Sequence, residues 1–168
     1  REAFGLGVHE SFQIAMGEII GKNVGEDVIT IRGGLDKGIG EGMPVITSAK
    51  VAVGRVTEVF SAYSRVQLIS QKESKVDAEI VETGVAGVIR GQGGQRVILD
   101  LVPQEDQFAQ GDLVVTSNLG SVFPENLLIG EVVEIVKSGA DPFQKAKINS
   151  FFNLKSADLV FVITSFDL

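Results

Sequence analysis

The chain reads as an all-β protein made of two tandem, small, six-stranded antiparallel β-barrels with little helix. Three observations predict this: a strand-rich composition, many short apolar runs separated by turn residues, and an internal repeat. Valine and isoleucine recur throughout, and 20 of the 168 residues are glycine. That glycine share exceeds the usual value of about 7%. β-Branched side chains pack well on a pleated surface, and glycine supplies the turns between strands.

The strands can be taken in order. The first is expected near 12–20, where apolar residues alternate, and the second near 28–32, between Asp27 and the Gly33-Gly34 pair. Runs near 44–47 and 52–60 flank a short turn at Lys50-Val51, and runs near 65–70 and 76–81 complete a first set of six. A second set lies near 85–90, 97–101, 112–116, 129–136, 144–149 and 159–165. Short links such as Gly91-Gln92-Gly93-Gly94-Gln95 imply antiparallel neighbours, since parallel pairs need crossovers of about a dozen residues. Helix is limited to single turns expected at 70–74 and 121–126, with a turn or short helix at 150–158.

The two sets resemble each other in sequence. Gly42-Met43-Pro44-Val45-Ile46-Thr47-Ser48 matches Gly111-Asp112-Leu113-Val114-Val115-Thr116-Ser117 at Gly, Val, Thr and Ser. Val53-Gly54-Arg55-Val56 is repeated as Ile129-Gly130-Glu131-Val132, and Ala15–Gly21 resembles Val85–Gly91. The offset is 70 residues at Gly21/Gly91, 69 at Gly42/Gly111 and 76 at Gly54/Gly130, which places an insertion between Ser117 and Ile129. One supersecondary unit used twice explains this pattern.

Closure into a barrel is preferred to a sandwich because it removes the exposed edges of a small sheet. Gly17, Gly54, Gly87 and Gly130 lie inside strands, where glycine permits the bends a small barrel needs. The expected units are residues 12–82 for the first barrel and 83–168 for the second. The last strand either completes the second barrel or returns to the first.

Net charge is −7, from 22 acidic and 15 basic residues, with no run of Lys or Arg. Nucleic-acid binders present a basic stripe to phosphates, so no nucleic-acid partner is expected. The acidic balance also disfavours docking on anionic lipid by charge. The absence of cysteine excludes disulfides and thiolate chemistry. No apolar run approaches the roughly 20 residues needed to cross a bilayer. The opening Arg1-Glu2-Ala3-Phe4 has no signal-peptide pattern. The chain is therefore read as cytoplasmic or as a fragment whose anchor lies upstream, and the lack of an initiator methionine favours the fragment.

No enzyme is read from these residues, and no catalytic residue, metal or cofactor is expected. A two-barrel hydrolase would need a histidine base between a serine and a carboxylate, and the single histidine, His9, precedes the first clear strand. The glycine clusters Gly38-Ile39-Gly40-Glu41-Gly42 and Gly91–Gly94 are followed by strands, whereas phosphate-binding loops open helices. They read as turns. The carboxylate pairs Glu105-Asp106 and Asp36/Glu41 fall in polar loops.

The insertion 118–128 carries five large apolar residues, Leu119, Val122, Phe123, Leu127 and Leu128. A minimal barrel does not require them. Either they plug one end of the second barrel or they form a patch for a partner or for self-association. Val122, Phe123, Leu127 and Leu128 are the candidate partner-binding residues.

This segment carries a family resemblance. Gly111-Asp112-Leu113-Val114-Val115-Thr116-Ser117 followed by Phe123-Pro124 and Ile129-Gly130 resembles the pattern of MreC, the bacterial rod-shape-determining family. Asp36-Lys37-Gly38-Ile39-Gly40-Glu41-Gly42, Val53-Gly54-Arg55-Val56, Ser64-Arg65-Val66 and Gly87–Gly93 resemble other signatures of that family, in the same order. Asn118, Ser121 and Asn126 stand where the family has glycine.

The resemblance implies two extracytoplasmic β-barrels, periplasmic or at the outer face of the cytoplasmic membrane, anchored by an upstream helix and coiled coil absent from this sequence. It further implies a non-catalytic scaffold of cell-wall elongation. Its partners would be MreD, penicillin-binding transpeptidases and the MreB–RodA system, and it would associate with itself as a dimer or filament. A carbohydrate-binding wall module is the alternative, and Tyr63 is the one tyrosine available for stacking on sugar in a chain without tryptophan.

Overall fold

A computed structural model describes residues 12–117, 119 and 122–165. Twelve strands dominate it: β1 (Gln13–Asn23), β2 (Val28–Arg32), β3 (Pro44–Ile46), β4 (Ala52–Val59), β5 (Tyr63–Leu68), β6 (Lys75–Ile80), β7 (Ala86–Gly93), β8 (Arg96–Pro103), β9 (Leu113–Thr116), β10 (Leu128–Val136), β11 (Phe143–Ser150) and β12 (Leu159–Ser165). Each lies within three residues of its expected bounds. Among the described residues helix is confined to two three-residue 3-10 turns, Val24–Glu26 and Leu35–Lys37. The segments 70–74 and 151–158 are turns and extended chain without helix.

The strands form two closed antiparallel barrels, in the order β1-β12-β3-β4-β5-β2 and β10-β11-β8-β7-β6-β9. Read from β7, the second becomes β7-β6-β9-β10-β11-β8 and corresponds to the first strand for strand. The sequence repeat thus has a structural counterpart. At Gly42 and Gly111, both with positive φ, the N–H donates to the Val56 and Val132 carbonyls respectively, each at 2.8 Å.

The pairing corrects the boundary at 82/83. β6 lies between β7 and β9 in the second barrel, and β12 lies between β1 and β3 in the first. The second barrel is therefore one continuous stretch, β6 to β11, nested between β5 and β12 of the first. The recognisable repeat covers five strands of each barrel; the sixth comes from ahead of the repeat in one copy and from the chain's far end in the other. Alternation along a strand specifies which face is buried but not which barrel it joins.

Each barrel is filled by inward apolar side chains. The first holds Ile29, Ile31, Val45, Val56, Val66 and Val162, and the second Ala78, Ile80, Ile89, Leu99, Ile129 and Ala146. Strands approach closely at equivalent glycines. A Cβ on Gly54 would fall on the Gln67 carbonyl oxygen, and one on Gly130 on that of Asn149. Both positions need glycine for space.

Candidate partner-binding surface

The candidate residues lie at the junction between the barrels. Thr47 and Thr116, equivalent in the repeat, end β3 and β9 and organise the loops that follow. The Thr47 N–H donates to the Val51 carbonyl at 3.0 Å, and the Val51 N–H returns to Thr47 Oγ1 at 3.3 Å. In the second copy the Thr116 N–H donates to the Leu127 carbonyl at 2.8 Å, and the Leu127 N–H returns to Thr116 Oγ1 at 2.9 Å. The insertion is therefore an enlarged version of the short turn at Ser48–Lys50. Thr116 is fully buried and its hydroxyl also donates to the Pro124 carbonyl at 2.7 Å, which pins the middle of the loop. Asn126 has φ 68°, a left-handed conformation that asparagine tolerates.

The two equivalent loops meet. Val51 pairs with Leu128 in a parallel bridge, and the Leu128 N–H donates to the Lys50 carbonyl at 2.9 Å. Behind this contact Phe123 (4% exposed) and Leu127 (0%) join a cluster that is continuous with the second barrel's core. Ile46, Ala52, Ile69, Phe161 and Ile163 of the first barrel and its outgoing link belong to the same cluster. Phe123 and Leu127 are thus enclosed between the barrels, with Phe123 reaching the edge of a hollow there. Leu128 is half-buried in β10. Of the four candidates, Val122 is exposed, at 44%, with Leu119 farther out at 76%.

The other side of the junction is polar, and the sequence did not mark it. Asp27, 2% exposed, precedes β2 in the first barrel. Its Oδ1 accepts the Gln95 backbone N–H at 2.8 Å and the Ser70 hydroxyl at 2.6 Å; its Oδ2 accepts the Gly94 N–H at 3.0 Å. Gly94 and Gln95 form the β7–β8 turn of the second barrel, both with positive φ, as a type I′ hairpin requires. The glycine cluster set aside as a phosphate loop therefore does bind an anion, a carboxylate from the other barrel. A Gly-Glu-Asp turn reads as solvated in sequence, so nothing local marked Asp27 as buried.

The remaining candidates fall in scaffolding roles or outside the description. Asp36 accepts the Gly34 N–H at 2.9 Å, and Asp106 gives its carbonyl to the Gln144 amide at 2.8 Å. Tyr63 stacks on Phe60 with ring centroids 4.5 Å apart, and Arg65 lies over the same Phe60 ring. The Glu58 carboxylate hydrogen-bonds Arg65 at 2.7 Å and holds its guanidinium above the ordinary pKa. His9 lies outside the described residues. No described helix is long and apolar enough to cross a membrane.

Fold and junction together define a duplicated double-barrel protein in which the sequence of one barrel is inserted into that of the other. The chain belongs to the MreC family: the family model described as "Rod shape-determining protein MreC, barrel core" matches residues 19–164. It is therefore a member of a bacterial cell shape-determining family. The cell shape-determining protein MreC of Caulobacter vibrioides is 37% identical over 101 residues, covering 60% of this chain and 29% of the relative. That of Escherichia coli is 32% identical over 110 residues, covering 65% and 30%. The matches thus span under a third of these relatives' length. Among solved structures, MreC from Pseudomonas aeruginosa matches with a TM-score of 0.80 at 24% identity, covering 90% of this chain and 99% of that one. A chain from the complex between penicillin-binding protein PBP2 and MreC of Helicobacter pylori matches with 0.74 at 16%, covering 92% and 99%. At these identities the structural matches speak for the fold.

Proposed function

We propose that the chain is the binding portion of a non-catalytic, self-associating scaffold for cell-wall elongation, acting outside the cytoplasmic membrane and held there by an upstream anchor. The observation that carries this reading is the junction. Two barrels are joined by an apolar contact on one side and a buried carboxylate on the other, which makes a preorganised body suited to hold partners in fixed relation. Family membership supplies the biological setting. The Helicobacter pylori complex of MreC with PBP2 supports a penicillin-binding transpeptidase as one partner. MreD and the MreB–RodA system are proposed on family grounds.

The test is interferometry with the extracytoplasmic domain of an elongation-specific transpeptidase from the same organism, together with sedimentation of the chain alone. Saturable binding and concentration-dependent association are expected. Absence of both at high micromolar concentration overturns the scaffold reading.

A further inference from the structure

Two hollows of about 320 and 500 Å³ open side by side at the junction, and Arg55 and Val122 line both. Through these shared residues the two hollows adjoin as a groove between the first barrel and the loop that carries Val122. Its apolar wall in the larger hollow is Met43, Pro44, Val122 and Ile163. Clefts at domain junctions are favoured binding places. Val122 is held in position from behind, because its neighbour Phe123 is locked into the shared core.

Arg55 is unusual among the described arginines. Arg32 pairs with Glu18, Arg65 with Glu58 and Arg90 with Asp100, while Arg96 donates to the Gly93 carbonyl. The Arg55 guanidinium has no hydrogen bond or ion pair with any described residue. Its backbone is fixed in β4 between Pro44 and Gln67, so its fork is presented at the centre of the groove. A guanidinium fork matches a carboxylate in a bidentate pair. Glu41 lines one hollow, so a second acid on that side meets like charge, while the other hollow carries Glu73 together with Lys75.

We propose that this groove docks an extended protein segment with a single acidic residue on Arg55 and an adjacent bulky apolar side chain against Met43, Pro44 and Val122. The flanking residue on the Glu41 side is neutral or basic. The inference rests on the binding role proposed above and supplies its docking site.

The probe is the peptide acetyl-Lys-Leu-Asp-Leu-Lys-amide, with its Asn-for-Asp counterpart as control, titrated by NMR into the isotope-labelled chain. The Asp peptide is expected to shift the Arg55 Nε–H and Val122 methyl signals, and the Asn peptide to bind at least tenfold more weakly. Arg55→Glu and Val122→Asp should abolish the shifts while keeping the wild-type melting profile. Equal binding of the two peptides, or shifts confined to other surfaces, overturns the proposal. So does binding that appears only when residues 166–168 are removed, which would make that segment the occupant. The transpeptidase assay separates the two claims. Undiminished binding by Arg55→Glu overturns the groove and leaves the scaffold reading standing. A transpeptidase that binds no variant overturns the scaffold reading, and the peptide titration alone then decides the groove.

Discussion

The Asp27 carboxylate accepts the backbone N–H of Gln95 at 2.8 Å, joining residues that belong to different barrels. Together with Gly94 and Ser70 this makes Asp27 the polar clasp of the junction. Asp27→Ala removes the shared acceptor of these donors, of which the Ser70 hydroxyl is buried while Gly94 and Gln95 lie nearer the surface. A loss of about 3 kcal/mol in urea unfolding is expected, in line with breaking buried charge-assisted hydrogen bonds. Faster amide exchange at Gly94 and Gln95 should accompany it, and unchanged exchange there would show that the clasp is dispensable.

Phe123 and Leu127 should behave as core residues and Val122 as a surface one. Phe123→Ala and Leu127→Ala are each expected to cost about 3 kcal/mol, as large-to-small changes in a packed interior do. Val122→Ser should stay within about 0.5 kcal/mol of the parent. Thermal unfolding of the three variants decides it: a destabilised Val122→Ser, or a neutral Phe123→Ala, contradicts the burial assigned to this loop.

The two crowded glycines should be equally intolerant. Gly54→Ala and Gly130→Ala each drive a methyl group onto a neighbouring strand's carbonyl, so both are expected to lose at least about 2 kcal/mol by overpacking. Gly139, with nothing within 4 Å of an added Cβ, is the matched control. Parallel melting curves for the Gly54→Ala and control proteins would refute the close-approach argument.

Nesting makes an asymmetric prediction about truncation. Deleting β12 opens the first barrel between β1 and β3 but removes no strand from the second. A chain ending at Asp158 should lose slow exchange at Ile31 and Val66 and retain it at Ile89 and Leu99. Uniform loss would mean that neither barrel folds without the other.

Strand positions were legible because each is a local pattern: Lys75–Ile80 alternates faithfully, and its buried residues Val76, Ala78 and Ile80 are the ones alternation points inward. The duplication was legible because turn glycines such as Gly42 and Gly111 recur for the same backbone reason. Barrel membership was not. The partners of β6 and β12 depend on contacts distant in sequence, and a strand carries no label for its neighbour. The insertion was legible from the repeat offset, yet sequence could not divide its apolar residues into the buried pair Phe123 and Leu127 and the exposed Val122. Asp27 and Arg55 were missed because their significance lies in what surrounds them, a carboxylate enclosed by donors and a guanidinium left without an acceptor.

The nested order of strands has a mechanical consequence. Gln13 faces Ser165 across the β1–β12 pair, so the described chain enters and leaves at one end of the first barrel. A pull applied between those two points would peel β1 from β12 and strain the first barrel and, through Phe161 and Ile163, the junction. The second barrel, attached through the two links on either side of it, would ride as an unstretched side-arm. Under such a load the second barrel can keep its shape while the first responds.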